Sequence, residues 1–201
     1  ILTAMPGESF TNQFLVAMPA MSDPNFAQTV TLVCEHGPQG ALGIVINRPL
    51  TMTLGDVLEQ LGLDAAQSKV SGDPVLHGGP VQTDRGFVLH SPGPLWDSTL
   101  PVSDWLHLTT SRDILDALAR GEGPAAALVA LGYAGWEAGQ LEAEVAQNAW
   151  LTVPADEQVL FATALDERWE AHVLVPAGAV REEPGHGGHD TGTISRSGLK
   201  E

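Results

Sequence analysis

The chain has 201 residues, 43% of them hydrophobic, and its 25 acidic against nine basic side chains give a formal net charge of −16. So acidic a chain lacks the basic face that holds nucleic-acid phosphates, which argues against direct binding to nucleic acid. The single cysteine, Cys34, excludes an intramolecular disulfide, and no apolar run reaches the ~20 residues that a membrane-spanning helix needs. We therefore expect a cytoplasmic protein that does not enter a membrane.

The first part of the chain predicts a buried strand followed by a β-hairpin. The apolar run QFLVAM at residues 13–18 is typical of a buried strand. Residues 29–36 and 41–49 are both strand-like, and the four-residue turn GPQG that joins them completes the pattern of a β-hairpin. Pro49 is expected to end the second strand, because proline has no N–H to give to a ladder.

The middle of the chain predicts a helix and then several short strands. Residues 53–63 place apolar side chains on one helical face, and Thr53 at their start is the predicted N-cap. The runs VLHGGPV and GFVLHS, within residues 75–91, predict a second strand pair, which we interpret as a hairpin. Residues 105–109 alternate in polarity and predict a further strand.

A second helix and a longer strand are predicted after residue 110. Residues 111–121 predict a helix that Ser111 caps and Gly121 stops. Residues 125–136 begin as a buried strand, which we expect to break at Gly132 because glycine weakens a strand interior.

The remaining elements complete the predicted fold class. Trp136 is expected to open a helix over residues 137–148, followed by a strand at 150–154 and by one or two helices. Hairpins mixed with helices, without a regular βαβ period, predict an α/β sandwich (α+β) with a mixed, largely antiparallel twisted sheet flanked by helices. We predict one domain over residues 1–180 and a flexible tail at 181–201, which is rich in Gly, Ser and charge.

Several of these stretches occur together in one known family. They are FLVAMPAMSDPNF, CEHGPQGALGIVINRPL, HGGPVQTDRGFVLH and LGYAGWEAGQLEAEVAQNAWL. Through them the chain resembles the bacterial AlgH/YqgE family, from about Phe14 to residues 161–169. The resemblance implies an α/β-sandwich fold, a cytosolic location and the label of transcriptional regulator, and it supplies no catalytic residues because the family has no established enzymatic activity.

The histidines raise the question of a metal site. The chain has seven of them, at positions 36, 77, 90, 107, 172, 186 and 189. His36, His77 and His90 each end a predicted strand and could converge at one sheet edge, which leaves open a hydrolase or metal-dependent enzyme. Zinc needs three or four converging ligands, and no short-range spacing such as HExxH fixes them here. We therefore interpret these histidines as polar strand ends and expect no metal and no cofactor.

Cys34, Glu35 and His36 are the only adjacent residues that suggest nucleophilic catalysis. On a regular strand Cys34 and His36 share a face, while Glu35 points to the other. No cation lies nearby to lower the pKa of the thiol, and a small cysteine in a Val-rich strand is usually part of the core. We expect no catalytic residue here.

A binding site is the better supported prediction. Gly78, Gly79 and Pro80 permit close backbone approach and an anion-accepting turn, with Arg85 in the same segment. Alternatively, the glycines only make a tight turn, and Arg85 pairs with Asp84 or another acid. Tyr133 and Trp136 lie among glycines, as interface anchors often do, although both could simply cap the core.

We predict that these features frame one shallow cleft for a protein partner or a small anionic ligand. The predicted cleft residues are His36, Asn47, Gly78, Gly79, Pro80, Arg85, His90, Tyr133 and Trp136. The corresponding function is that of a non-enzymatic regulatory or adaptor protein. A hydrolase or metal-dependent enzyme is the first alternative, and a DNA-binding regulator, disfavoured by the charge, is the second.

Overall fold

A computed structural model of the chain describes residues 8–173. The predicted tail at residues 181–201 and the domain boundary at residue 180 lie outside the described part. Ten strands and five helices occur within it. In chain order they are β1 (Gln13–Ala17), β2 (Val30–Gly37), β3 (Gly40–Val45), β4 (Pro49–Thr53), α1 (Leu54–Gln60), β5 (Pro74–His77), β6 (Val81–His90), β7 (Thr99–Ser103), β8 (Leu106–Thr109), α2 (Asp113–Ala119), β9 (Ala127–Glu137), α3 (Gln140–Ala146), β10 (Trp150–Pro154), α4 (Glu157–Phe161) and α5 (Glu167–Val173).

The strands form one curled, mixed sheet. Its order is β10-β1-β2-β3-β9-β6-β8-β7, and all neighbours on this path are antiparallel. The strand β5 runs parallel to β9 and antiparallel to β4. The predicted fold class, an α+β sandwich with a largely antiparallel sheet, is confirmed.

Both faces of the sheet are covered. Successive strand residues point to opposite sides, so neighbouring residues of one strand belong to different core clusters. Phe14 and Leu32 belong to a core cluster that also contains Leu160 of α4. Leu15 and Val33, one position along, belong to a second cluster that contains Leu141 of α3. A third cluster packs α1 and α2 against the sheet. No helix within residues 8–173 is long and apolar enough to cross a membrane.

Two predictions from local sequence are confirmed: the N-cap of the first helix and the first β-hairpin. Thr53 caps α1 in a capping box: its hydroxyl accepts from the Asp56 N–H at 3.3 Å, and the Asp56 carboxylate accepts from the Thr53 N–H at 2.8 Å. The predicted hairpin of β2 and β3 is also present. The end of its second strand was predicted wrongly, since β3 stops at Val45 and Pro49 instead begins β4.

The predicted hairpin within residues 75–91 is wrong. Both of its strands are present, but β5 and β6 do not pair with each other, and each pairs with β9. The predicted break at Gly132 is wrong as well, because β9 continues through it. Gly132 has φ +79, and a Cβ there would lie 2.5 Å from the Gly79 carbonyl oxygen. The glycine therefore permits a close crossing and does not end the strand.

Two helix starts also differ from their predictions. Trp136 does not open a helix, because β9 runs to Glu137, and Gly139 at φ +76 makes the turn into α3. Ser111 is not the N-cap of α2. Its hydroxyl instead donates to the Asp113 carboxylate at 2.5 Å and accepts from the Ser98 N–H at 3.1 Å. The C-terminal segment, for which one or two helices were predicted, contains two, α4 and α5.

Candidate functional site

The three strand-end histidines do not meet, and His77 lies beside Leu131 of β9. The register through β3 places His36 beside Ala41 and Ala41 beside Trp136 of β9, whereas His90 lies beside Ala127 of the same strand. Nine residues of β9 separate these two levels, which is on the order of 30 Å along a strand. Within residues 8–173 no group of three or more His, Cys, Asp or Glu side chains is placed to hold a metal ion.

His90 lies in the core with both ring nitrogens engaged. It is fully buried, with Nδ1 2.8 Å from the Ser91 carbonyl and Nε2 2.7 Å from the Thr109 hydroxyl. Because a carbonyl oxygen can only accept, Nδ1 carries the proton, and Nε2 accepts from Thr109. Burial lowers the pKa of His90, and the nearby His107 acts in the same direction, while the Ser91 carbonyl opposes them. The ring is therefore a neutral link between β6 and β8.

The glycine pair is buried, whereas Arg85 is exposed. Gly78 and Gly79 are buried against β9, where a Cβ on Gly79 would lie 2.2 Å from the Tyr133 carbonyl carbon. Pro80 is exposed. Arg85 is exposed too, with Nη1 3.4 Å from the Gln82 amide oxygen and its guanidinium 5.2 Å from the centre of the Phe87 ring. Close packing with β9 explains the glycines, and the role of Arg85 in anion binding stays a prediction.

Asn47 fastens a loop to the sheet. Its Oδ1 accepts from the Val30 N–H and its Nδ2 donates to the Gln28 carbonyl, each at 2.9 Å. The next residue, Arg48, donates to the carbonyls of Asn25 and Ala27 in the same loop. These contacts engage both the oxygen and the nitrogen of the Asn47 side-chain amide.

A β-bulge separates Cys34 from His36. The register passes from Val33 opposite Gly43 to Glu35 opposite Leu42, so that Cys34 is the extra residue. The prediction that Cys34 and His36 share a face is therefore wrong: Cys34 packs in the core cluster of Leu32, and His36 points to α3. Burial raises the pKa of the Cys34 thiol, with Glu35 adding to the effect, so Cys34 is not an activated nucleophile.

His36 is held from both sides of its ring. The Phe10 N–H donates to Nδ1 at 3.0 Å, which leaves the proton on Nε2 to be donated to the Glu142 carboxylate at 2.8 Å. The Glu142 backbone N–H is the largest cause of a lowered pKa of that carboxyl; burial opposes it, and the hydrogen bond from His36 adds to the lowering. The pair joins the end of β2 to α3.

The aromatic residues are fixed by packing and by hydrogen bonds. One of the partners, Glu144, was not among the predicted site residues. Tyr133 packs edge-on against Phe87, with ring centres 5.6 Å apart. Trp136 and Trp150 are buried, and their indole nitrogens both donate to one Glu144 oxygen, at 2.9 and 2.8 Å. Buried indoles need such an acceptor, so two buried tryptophans are the sequence signal for an acid on a neighbouring helix.

Two of the nine predicted residues, His36 and Trp136, line one cleft of about 390 Å³ at the turn of the β2–β3 hairpin. We call it the tip cleft. It is lined by Glu35, His36, Gly37, Pro38, Gln39, Gly40, Ala41, Leu42 and Trp136. Its lining contains one carboxylate and no Lys or Arg, and Glu137 lies opposite Gly40 at its border. The other seven predicted residues do not line it.

Sequence comparisons agree with the fold. The family model described as DUF179, AlgH-like, matches residues 14–176. A UPF0301 protein of Thioalkalivibrio sulfidiphilus is 61% identical over 163 residues, which are 81% of this chain and 87% of that protein. A UPF0301 protein of Xanthomonas campestris pv. campestris is 55% identical over 159 residues, 79% of this chain and 85% of that protein.

Solved structures show the same architecture. The solution structure of the AlgH protein from Pseudomonas aeruginosa has a TM-score of 0.72 at 49% identity, covering 93% of this chain and all of that one. The crystal structure of protein DIP2367 from Corynebacterium diphtheriae has a TM-score of 0.69 at 18% identity, covering 87% and 92%. The second likeness is one of fold alone.

Proposed function

The chain belongs to the AlgH-like family, and from that premise we propose that it is a regulatory or adaptor protein that binds a basic segment of a partner protein in the tip cleft. The observation that carries the proposal is a cleft lined by a histidine and a buried tryptophan, bordered by acids and without a cation in its lining. A regulatory role also agrees with the resemblance to AlgH/YqgE proteins.

The charge around the tip cleft favours a Lys- or Arg-containing partner. Glu35 lines the cleft and is exposed, as is Glu137 at its border. Glu142, whose side chain is 46% exposed, lies against His36. Acids grouped in this way steer a basic partner toward the cleft and repel acidic competitors.

The walls of the tip cleft are held in place before any partner arrives. Both nitrogens of His36 are engaged, and the Trp136 indole is fixed by Glu144. A partner that meets such walls does not have to order them, and this lowers the cost of association. The same engagement leaves His36 without a free nitrogen for proton transfer, which supports binding over chemistry.

Photo-cross-linking tests the proposal. We would place p-benzoylphenylalanine at Gln39, in the tip cleft, and at exposed Gln60 on α1 as the matched control, and irradiate cells of a bacterium that makes this protein. We expect position 39 to give a discrete adduct, joined through a Lys- or Arg-rich segment, that position 60 does not give. The same adducts from both positions, or none from position 39, would contradict the proposal.

A further inference from the structure

A buried cation lies where the C-terminal helices meet the sheet. Arg168 on α5 is 3% exposed, and burial lowers its pKa to about 10, so it remains protonated at neutral pH. Its Nε donates to the Thr163 carbonyl at 3.1 Å, and Nη1 donates to the Ile46 carbonyl. Arginine is almost never buried this deeply without a carboxylate, because carbonyl dipoles alone leave the charge uncompensated.

Arg168 has no carboxylate partner among residues 8–173. The ion pairs in that part of the chain join His36 to Glu142, Arg112 to Asp116 and Arg120 to Glu122. A guanidinium has five N–H donors, and the two carbonyls take only two of them. The rest make no hydrogen bond to another residue of the described chain.

Arg168 lines a cavity of about 240 Å³ with otherwise mainly apolar walls. Leu54, Leu76, Phe161 and Leu165 contribute to these walls. Asp73 is the one other charged residue in the lining, and it lies beyond ion-pair distance of Arg168. The volume is below the roughly 300 Å³ at which ligand pockets usually begin, so the occupant is small.

We infer that this cavity binds a small monocarboxylate with a compact apolar tail. The N–H donors of Arg168 that the two carbonyls leave, one on Nη1 and two on Nη2, serve a carboxylate, and the leucines and Phe161 receive the tail. A second negative charge on the ligand would meet either the apolar walls or Asp73, which disfavours dicarboxylates and phosphate esters.

The site goes beyond the proposed function and is independent of it. None of its lining residues lines the tip cleft, and none is among the nine predicted site residues. A failure of partner binding at the tip cleft therefore does not contradict this inference. A failure of ligand binding in the cavity likewise does not contradict the proposed function.

Titration of the full chain with hexanoate tests the inference. Isothermal titration calorimetry is expected to show saturable binding at one site, with a Kd of about 1 mM or tighter. Hexanamide has the same tail without the charge, and acetate has the charge without the tail. Both are expected to bind at least ~10-fold more weakly, since each lacks one half of the recognition. No saturable hexanoate binding below about 10 mM, or equal binding of hexanamide, would overturn the inference.

Two variants locate the binding. R168Q is expected to abolish hexanoate binding, and circular dichroism checks that it folds. A164W places a bulky ring at an exposed lining position and leaves the Arg168 hydrogen bonds intact, so it decides the question if R168Q does not fold. The control A146W lies at an exposed position of α3 outside the cavity and is expected to bind as the wild type does. Hexanoate binding that survives A164W would overturn the inference.

Discussion

Glu144 joins two aromatic rings from different strands to one helix. One of its oxygens accepts from the indole nitrogens of Trp136 and Trp150, and the other accepts from Gln140 at 3.0 Å. At the scale of single residues this is the contact on which the wall of the tip cleft depends, because it fixes Trp136 against α3.

The substitution E144A is expected to lower the free energy of unfolding by about 2–4 kcal/mol, since it leaves two buried indole donors without an acceptor. E144Q retains an acceptor oxygen and is expected to cost about 1 kcal/mol. Urea denaturation measures both. The control E59A removes an exposed acid of α1 and should change the free energy by less than about 0.5 kcal/mol. An E144A effect as small as that of the control would contradict the assigned role.

His90 is expected to make stability depend on pH. Its pKa is lowered from 6.5 in the folded protein, chiefly by burial, so below pH 6.5 the unfolded chain takes up a proton that the folded chain does not. The contribution is therefore fully present above pH 6.5 and is lost as the pH falls below that value, at up to about 1.4 kcal/mol per pH unit.

Urea denaturation between pH 8 and pH 5 checks this dependence in the wild type and in H90Q. The variant is expected to be less stable at pH 8, because the buried link between β6 and β8 is disturbed, and to lose less stability on acidification. Parallel pH profiles for the two proteins would show that His90 does not carry the effect.

The long strand β9 organises the sheet at the scale of secondary-structure elements. It pairs with β3 at one end and with β5 and β6 along the rest, so it joins segments far apart in the chain. Gly78 and Gly79 follow β5 and pass close to it: a Cβ on either would lie 2.3 Å or less from the β9 backbone. The Gly-Gly pair is therefore a requirement of this crossing.

The substitution G79A is expected to lower the free energy of unfolding by about 2–5 kcal/mol, because its Cβ would overlap Tyr133 and its φ of +153 is unfavourable for alanine. Gly93 is the matched control, since nothing lies within 4 Å of a Cβ there. Thermal or urea denaturation should place G93A within about 0.5 kcal/mol of the wild type. Equal stability of G79A and G93A would contradict the close crossing.

These elements also show how far the sequence could predict the fold. The β2–β3 hairpin and the N-cap at Thr53 depend on residues within one turn, so their signals are local and the predictions were right. The pairing of β5 and β6 with β9 depends on residues about 50 positions downstream, and adjacency in the chain suggested the wrong partner.

The residues of the candidate site also divide into those that the sequence predicted and those that it did not. His36 and Trp136 were named from the sequence and share the tip cleft. Glu144 and Arg168 were not named, because an acid on a helix and an arginine near the C-terminus look like solvent-exposed charges until tertiary packing buries their contacts.

At the scale of the whole molecule, charge is the dominant property. A net charge of −16 opposes the approach of a polyanion. We expect no mobility shift of duplex DNA with the purified chain, even at about 50 mM salt, where phosphate contacts are strongest. A sequence-specific shift that weakens steeply with added salt would instead favour a DNA-binding regulator.

The proposed function requires that a basic partner binds in the tip cleft, and the affinity of the partner cross-linked at position 39 is its strictest test. E35K reverses the one carboxylate in the cleft lining, and E59K makes the same change at an exposed position of α1. Calorimetry is expected to show that E35K weakens the Kd by about 10–100-fold and that E59K changes it less than about threefold. Equal affinities of E35K and the wild type would contradict the claim.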